Sequence, residues 1–296
     1  MSNLLKPSVS NEFDPLRRVI LGTAMGLKST PDPNLLAGLP KTSKRYDQPN
    51  QVVTGEEFRR IKVSLEAAGV QVDQPTFANL PEVADQTCPR DIGFVIDGLY
   101  FQARSKYQSR NSEHRGIDHL IDAFDPACRL TIPDGAFLEG GDVVLAPGRV
   151  FCGLGARSNR EGIDWLAENF KQYGINREII IVTHDVLHLD CCWNVISPDL
   201  ALWSAGSTES FMHLSGASFK MDYETITIDQ KEQAALATNV LVITPDHLIA
   251  RDDPICERVN QSIEHHHKIR VERIRFDSVP SIGGSFRCAT LPLIRN

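Results

Sequence analysis

The sequence predicts an α/β protein assembled from a repeated strand-strand-helix-strand unit and closed into a ring. Three observations predict it. Paired β-prone runs flank a turn dipeptide four times, at Asp97-Gly98, Pro147-Gly148, Pro198-Asp199 and Pro245-Asp246, so the turns return about every 50 residues. Segments of helical period follow the hairpins, and a further strand-like run follows the helices. The chain begins and ends on runs that lack such partners of their own.

The elements follow in chain order. A strand at 18–22 and a helix at 55–68 come before any hairpin. The first hairpin pairs Phe94-Val95-Ile96 with Leu99-Tyr100-Phe101, because Asp and Gly reverse the chain between β-prone runs. A helix is expected at 109–124, with Ile117, Leu120, Ile121 and Phe124 on one face, then a strand at 129–132. The second hairpin (143–146 and 150–152) leads to a helix at 157–173, opened by Ser158 and carrying Ile163, Leu166 and Phe170, and to a strand at 178–183. A third hairpin spans 195–203, with a weaker strand at 225–228, and a fourth spans 241–250, with a strand at 269–276. The final run, 288–294, has no helix after it. The two ends therefore complete a fifth unit together, since ring closure removes exposed sheet edges. The expectation is one domain over residues 1–296.

With 42% apolar and 23% charged residues, the chain has enough material for a large core. A formal charge of −7 argues against nucleic acid and anionic membrane as partners and is compatible with a small cationic substrate. The first fifteen residues hold no signal-type apolar stretch and nowhere do 18 apolar residues run together, so a cytoplasmic protein is expected. Seven cysteines without a C-x-x-C pair suggest reduced thiols. His265-His266-His267 splay around a helix and read as a solvated helix end, and no metal is expected. Cys191 and Cys192 fall in a probable-strand pattern, one facing the core and the other nearer a pocket.

The reactive residue types sit at equivalent places in the units. Asp91 precedes the first hairpin, Glu139 and Asp142 the second, His188 and Asp190 the third, and Cys288 opens the closing strand. In a ring, such ends meet near the central axis. Acid, base and thiol together are the parts needed to hold a planar cation and attack its carbon.

Pro89-Arg90-Asp91, Glu139-Gly140-Gly141-Asp142, His188-Leu189-Asp190 and Gly283-Gly284 before Cys288, in this order, resemble the guanidino-group-modifying superfamily of arginine deiminases, dimethylarginine dimethylaminohydrolases and glycine amidinotransferases. The resemblance runs from Asn11-Glu12-Phe13-Asp14-Pro15 to the last strand. It implies a five-bladed α/β propeller of pseudo-fivefold symmetry that works without cofactor. It further implies that Cys288 attacks the guanidino carbon to leave an S-alkylthiouronium adduct, and that His188 moves protons both ways. Glu139 would orient the imidazole, and Asp91 and Asp190 would accept from guanidinium N–H groups. Asp142 is either a substrate contact or a turn residue binding backbone. Arg104 and Arg115, with Arg110 between them, either bind a substrate carboxylate or form helix-surface salt links.

Carboxylates beside Cys288 disfavour a thiolate unless protonated His188 or the substrate's own cation compensates. Gly283 stands where bacterial-type arginine deiminases often carry an Arg, and the chain has no room for their inserted helical domain; its size is nearer that of dimethylarginine hydrolases. Residues 91–96 look like the hydrolase-type members, whereas 12–16 and Arg104-Ser105 with Glu113 and Arg115 are similar to amidinotransferases. The leading expectation is a hydrolase that gives a ureido product. The alternative is an amidinotransferase with an amine acceptor, and a guanidino-ligand binding protein is the non-enzymatic competitor. A homodimer is compatible with either enzyme. Residues 23–54, broken by Pro31, Pro33, Pro40 and Pro49, are a candidate lid or an ordinary loop.

Overall fold

The computed structural model describes residues 4–27, 50–76, 83 and 85–296. It is a mixed α/β fold in which five small sheets share one pattern: a first strand antiparallel to a middle strand, and the middle strand parallel to a third. Strand β1 (Leu16–Leu21) lies between β16 (Thr290–Arg295), antiparallel, and β2 (Gln71–Asp73), parallel, so the two ends of the chain do build one unit. The next unit holds β3 (Gly93–Ile96), β4 (Leu99–Gln102) and β5 (Arg129–Thr131). Then come β6 (Val143–Ala146), β7 (Arg149–Leu154) and β8 (Glu178–His184). The fourth has β9 (Trp193–Val195), β10 (Leu200–Trp203) and β12 (Glu224–Thr227), and the last β13 (Leu241–Thr244), β14 (His247–Arg251) and β15 (Arg270–Ile274).

Each unit touches the next, and the last touches the first. The short helix Pro89–Ile92 packs on the turn Gly140–Asp142, β6 on β9, β1 on β13 and β16 on β3. Between the remaining pair, Asn194 of β9 donates from Nδ2 to the carbonyls of Thr238 and Val240, just ahead of β13. Apolar residues fill the space between neighbouring sheets. Phe94 stacks on Phe101 at 5.1 Å beside Val143 and Leu145, and Trp193 packs with Val144, Leu202 and Val242.

Local chemistry sets the crossovers. Helix Arg160–Tyr173 starts where Asn159 Oδ1 accepts from the Gly162 N–H at 3.0 Å, buries Ile163, Leu166 and Phe170, and stops at Gly174, whose φ of 68° is left-handed. Helix Gln51–Ala67 likewise covers β1 and β2 through Phe58, Ile61 and Leu65. The helix expected over 109–124 is absent as such. Two 3₁₀ turns, Gln108–Arg110 and Glu113–Gly116, precede one helical turn, Asp118–Ile121. Buried Arg110 at the end of the first 3₁₀ turn pairs with Glu113 at the start of the second, and a Cβ at Gly116 would sit only 1.7 Å from Gln86 Nε2. The third hairpin also departs from the expectation. Its crossover holds no α-helix but a 3₁₀ turn, Ala205–Ser207, and β11 (Thr208–His213), which joins β8 as an extra strand and packs Phe211 against Trp193 at 5.1 Å. Among the described residues, no helix is long and apolar enough to cross a membrane.

Candidate active site

Every unit carries a polar residue shortly before its first strand: Asp91 before β3, Asp142 before β6, Asp190 before β9, Asn239 before β13 and Cys288 before β16. The contacts that close the ring bring these positions together, and all five side chains are buried. They form two adjoining groups, one around an imidazole and one around a thiol.

His188 is fully buried with a carboxylate facing each ring nitrogen: Glu139 Oε2 lies 2.9 Å from Nε2 and Asp91 Oδ1 3.6 Å from Nδ1. Gly141 makes room for the ring, since a Cβ there would lie 2.7 Å from His188 Cγ. Cations stand behind both acids. Arg110 NH1 donates to Asp91 Oδ2 at 2.8 Å while its other nitrogens hold Glu113; Arg157 NH1 lies 3.5 Å from Glu139 Oε1, which also accepts from Ser105 Oγ at 2.6 Å. Arg157 in turn lies over the Tyr107 ring, 4.7 Å from its centre. Burial alone would push the imidazole's pKa down, but Asp91 and Glu139 outweigh it and raise it to about 10, so His188 is protonated at neutral pH. Against the same burial, Arg157 and His188 hold Glu139 well below the usual carboxylate range. Asp91 goes the other way, raised by burial despite His188 and Arg110. Its Oδ1 and the facing His188 Nδ1 are two buried polar atoms without a hydrogen-bond partner. Beside them is a cavity of about 10 Å³ lined by Asp91, Ser105, Arg110, Asn111, His114 and Glu139, room for about one water.

Cys288 lies in the turn before β16 rather than in the strand. Its Sγ is 3.6 and 3.7 Å from the two oxygens of Asp190 and 3.1 Å from Asn239 Nδ2. Asp190 is anchored by Arg287 NH1 at 2.9 Å, and Arg287 NH2 donates to Glu12 Oε1 and to the Val143 carbonyl, both at 2.7 Å. Burial favours the neutral acid at Glu12, but Arg287 and Arg90 override it and lower its pKa to about 2. Two further thiols adjoin. Cys191 Sγ donates to Asp190 Oδ1 at 3.6 Å and is pushed well up by its hydrogen bond with Cys288, then by burial; Cys88 is pushed up by burial, then by Asp91.

The structure gathers Asp91, Glu139, His188, Asp190 and Cys288 into these groups. It does not gather Arg104 and Arg115. Arg104 donates to the Ile132 carbonyl at 2.9 Å and pairs with exposed Asp134, and Arg115 is exposed on its 3₁₀ turn. Of the three arginines in that segment, Arg110 is the one turned inward. Asp142 holds the site from below: Oδ1 accepts from the Leu189 N–H at 2.8 Å and faces His184 Nε2 at 3.0 Å, and Oδ2 accepts from Ser158 Oγ at 2.6 Å. With both oxygens engaged, it ties the turn after His188 to His184 and Ser158.

Two triplets bring potential metal-ligand atoms within 4.8 Å of one another, Asp91–Glu139–His188 and Asp190–Cys191–Cys288. Guanidinium groups already counter the acids of each, Arg110 and Arg157 in the first and Arg287 in the second. His265, His266 and His267 end the helix Glu257–His267, His266 and His267 with ring centres 6.5 Å apart. The candidate lid lies largely outside the described residues, which leave out 28–49.

Sequence reasoning passed over Arg157, Arg287 and Asn239. Nothing in their local spacing marks the two arginines. Asn239 had a signal, because it occupies in its unit the place that Asp91, Asp190 and Cys288 hold in theirs.

Comparisons with known proteins place the chain in a family and find the same fold elsewhere. A family model described as N,N dimethylarginine dimethylhydrolase, eukaryotic, matches residues 40–295. Uncharacterized protein YkgA of Bacillus subtilis (strain 168) is 30% identical over 261 residues, 86% of either chain. SxtG, an amidinotransferase from Microseira wollei in the saxitoxin biosynthetic pathway, has a similar structure, with a TM-score of 0.82 at 18% identity over 98% of this chain and 97% of its own. A DDAH from Pseudomonas aeruginosa, complexed with citrulline, gives 0.73 at 18% identity over 94% and 99%.

Proposed function

This chain belongs to the N,N dimethylarginine dimethylhydrolase family, and from that premise we propose that it is a hydrolase cleaving a C–N bond of an arginine-like guanidino compound through a covalent adduct on Cys288. The observation that carries the proposal is the pairing of a protonated, doubly carboxylate-flanked His188 with a thiol held against Asp190 in one buried centre.

A guanidinium is planar, cationic and resonance-stabilised, so its carbon yields only to a strong nucleophile in a field of fixed anions. Asp190 lies beside the sulfur, and Asp91 presents an unpaired Oδ1, so both can accept from substrate N–H groups. Cys288 sulfur, as thiolate, bonds to the guanidino carbon. Proton transfer from His188 to one nitrogen lets that C–N bond break, and ammonia or an amine departs. The S-alkylthiouronium that remains is attacked by water, whose proton returns to the now neutral His188. The C–S bond then breaks as the hydroxyl proton passes to solvent, releasing the neutral ureido product and the thiolate. Glu139 steadies the imidazolium throughout. On this reading the five units are the blades of an α/β propeller, one catalytic domain with its reactive ends on the axis. The seven free cysteines suit a cytoplasmic protein.

The test is mass spectrometry of arginine, methylated arginines, agmatine and guanidino acids incubated with the enzyme in water, beside Cys288→Ser. A ureido product from the intact enzyme alone is expected. An amidino adduct on Cys288 that only an added amine discharges would make the protein an amidinotransferase instead. If neither product nor adduct forms, the proposal is overturned.

A further inference from the structure

We propose that Asn239 is a catalytic residue: its side-chain amide donates to Cys288 sulfur and stabilises the thiolate on which the proposed reaction depends. The inference rests on the functional reading above and supplies what that reading leaves open, how a thiolate survives beside carboxylates.

The amide's orientation is determined by its partners. Asn239 Oδ1 accepts from the backbone N–H of Arg287 at 3.0 Å and of Cys288 at 3.2 Å. Two donors converge on that atom, so it is the oxygen, and the nitrogen must be the end that faces Cys288 Sγ at 3.1 Å. The second N–H of the amide points to the Asp190 carbonyl at 3.4 Å. Asn239 is 1% exposed, so water does not compete for the sulfur. Every other polar group given to Cys288 Sγ is unsuited to this task. Asp190 presents carboxylate oxygens at 3.6 and 3.7 Å, which favour the protonated thiol, and the Cys191 thiol is itself held protonated. The carboxamide is a neutral donor that cannot be titrated away. As the proton leaves sulfur, the contact changes from a weak N–H···S bond to a charge-assisted one. The same side chain holds the N–H groups of the nucleophile's turn, so sulfur position and sulfur charge have a common origin.

The experiment reads Cys288 chemistry directly, without turnover, so it stands apart from whether any guanidino compound is a substrate. The rate of Cys288 alkylation by iodoacetamide, followed on its own peptide by mass spectrometry, is measured against pH for the full chain, Asn239→Ala and Asn239→Asp. Asn239→Asp keeps an acceptor for the two backbone N–H groups and removes the donor to sulfur. In both variants the alkylation profile is expected to shift to higher pH, with about tenfold slower reaction at pH 7. A purely structural role would lower melting temperature and change the rate by one factor at all pH values; an unshifted profile in Asn239→Asp would overturn the proposal. Should Asn239→Ala not fold, Asn239→Leu, isosteric and without donor or charge, gives the deciding profile, and an unshifted one overturns the proposal.

Discussion

The imidazole and the thiol of the site are both fully buried, yet they are secured by different kinds of group. His188 is gripped by side chains that titrate: Glu139 and Asp91, steadied by Ser105, Arg157 and Arg110. Cys288 is gripped by a carboxamide, which does not titrate, and by a single carboxylate under a guanidinium. Asn239 clamps its backbone N–H, and Arg287, which also donates to Glu12 and the Val143 carbonyl, holds Asp190. The imidazole is thus held by charges alone, whereas the thiol also has a contact that no change of pH removes.

The comparison can be broken most sharply at the sulfur. Cys288→Ser is expected to lower turnover at least about 1,000-fold, with melting temperature little changed, because Ser fits the Asn239 and Asp190 contacts without comparable nucleophilicity. Product formation and thermal unfolding read the two parts. Next comes Arg287→Met, which leaves Glu12 and Asp190 buried without their shared cation and should cost about 3–5 kcal/mol of stability by urea unfolding. A loss below about 1 kcal/mol would mean that the web under the nucleophile is not what fixes it.

On the other half, Glu139→Gln keeps the shape of the contact to His188 but removes its charge. We expect kcat about 100-fold lower, with the stability change small beside that of Arg287→Met. The pH dependence follows from the raised pKa of His188, about 10 against the ordinary imidazole value of 6.5. A raised cationic group stabilises the fold fully below its unfolded value and loses that contribution as pH rises through its folded value. Wild type minus His188→Asn unfolding free energy should thus fall between about pH 6.5 and 10; a flat difference would show that the carboxylates do not hold a proton there. The smallest effects belong to Arg104→Ala and Arg115→Ala, expected within about twofold in turnover and about 0.5 kcal/mol in stability. A tenfold rise in KM for either would restore the sequence-based expectation that they reach substrate.

These halves were unequally visible in the sequence. Hairpin turns and helical periods announced the five units, and even the joining of the ends, because an unpaired strand run at each terminus has one economical use. Residues 109–124 misled, since Ile117, Leu120, Ile121 and Phe124 carry a helical period whatever the backbone does before Gly116. β11 was missed because an extra strand leaves no mark in a count of hairpins. In the site, motif residues next to glycines stood out, whereas Arg157, which meets Glu139 within one unit, and Arg287, which meets Asp190 across units, act through contacts far apart in sequence. Asp142, expected either to contact substrate or to bind backbone at its turn, accepts from the Leu189 N–H.

The pairing of β1 with β16 orders events during synthesis. Residues 16–21 leave the ribosome long before residues 290–295, and until those arrive β1 has one open edge. The sheet beside Cys288 is therefore a long-range structure that no local stretch of chain can complete, so its assembly waits on two segments far apart in synthesis.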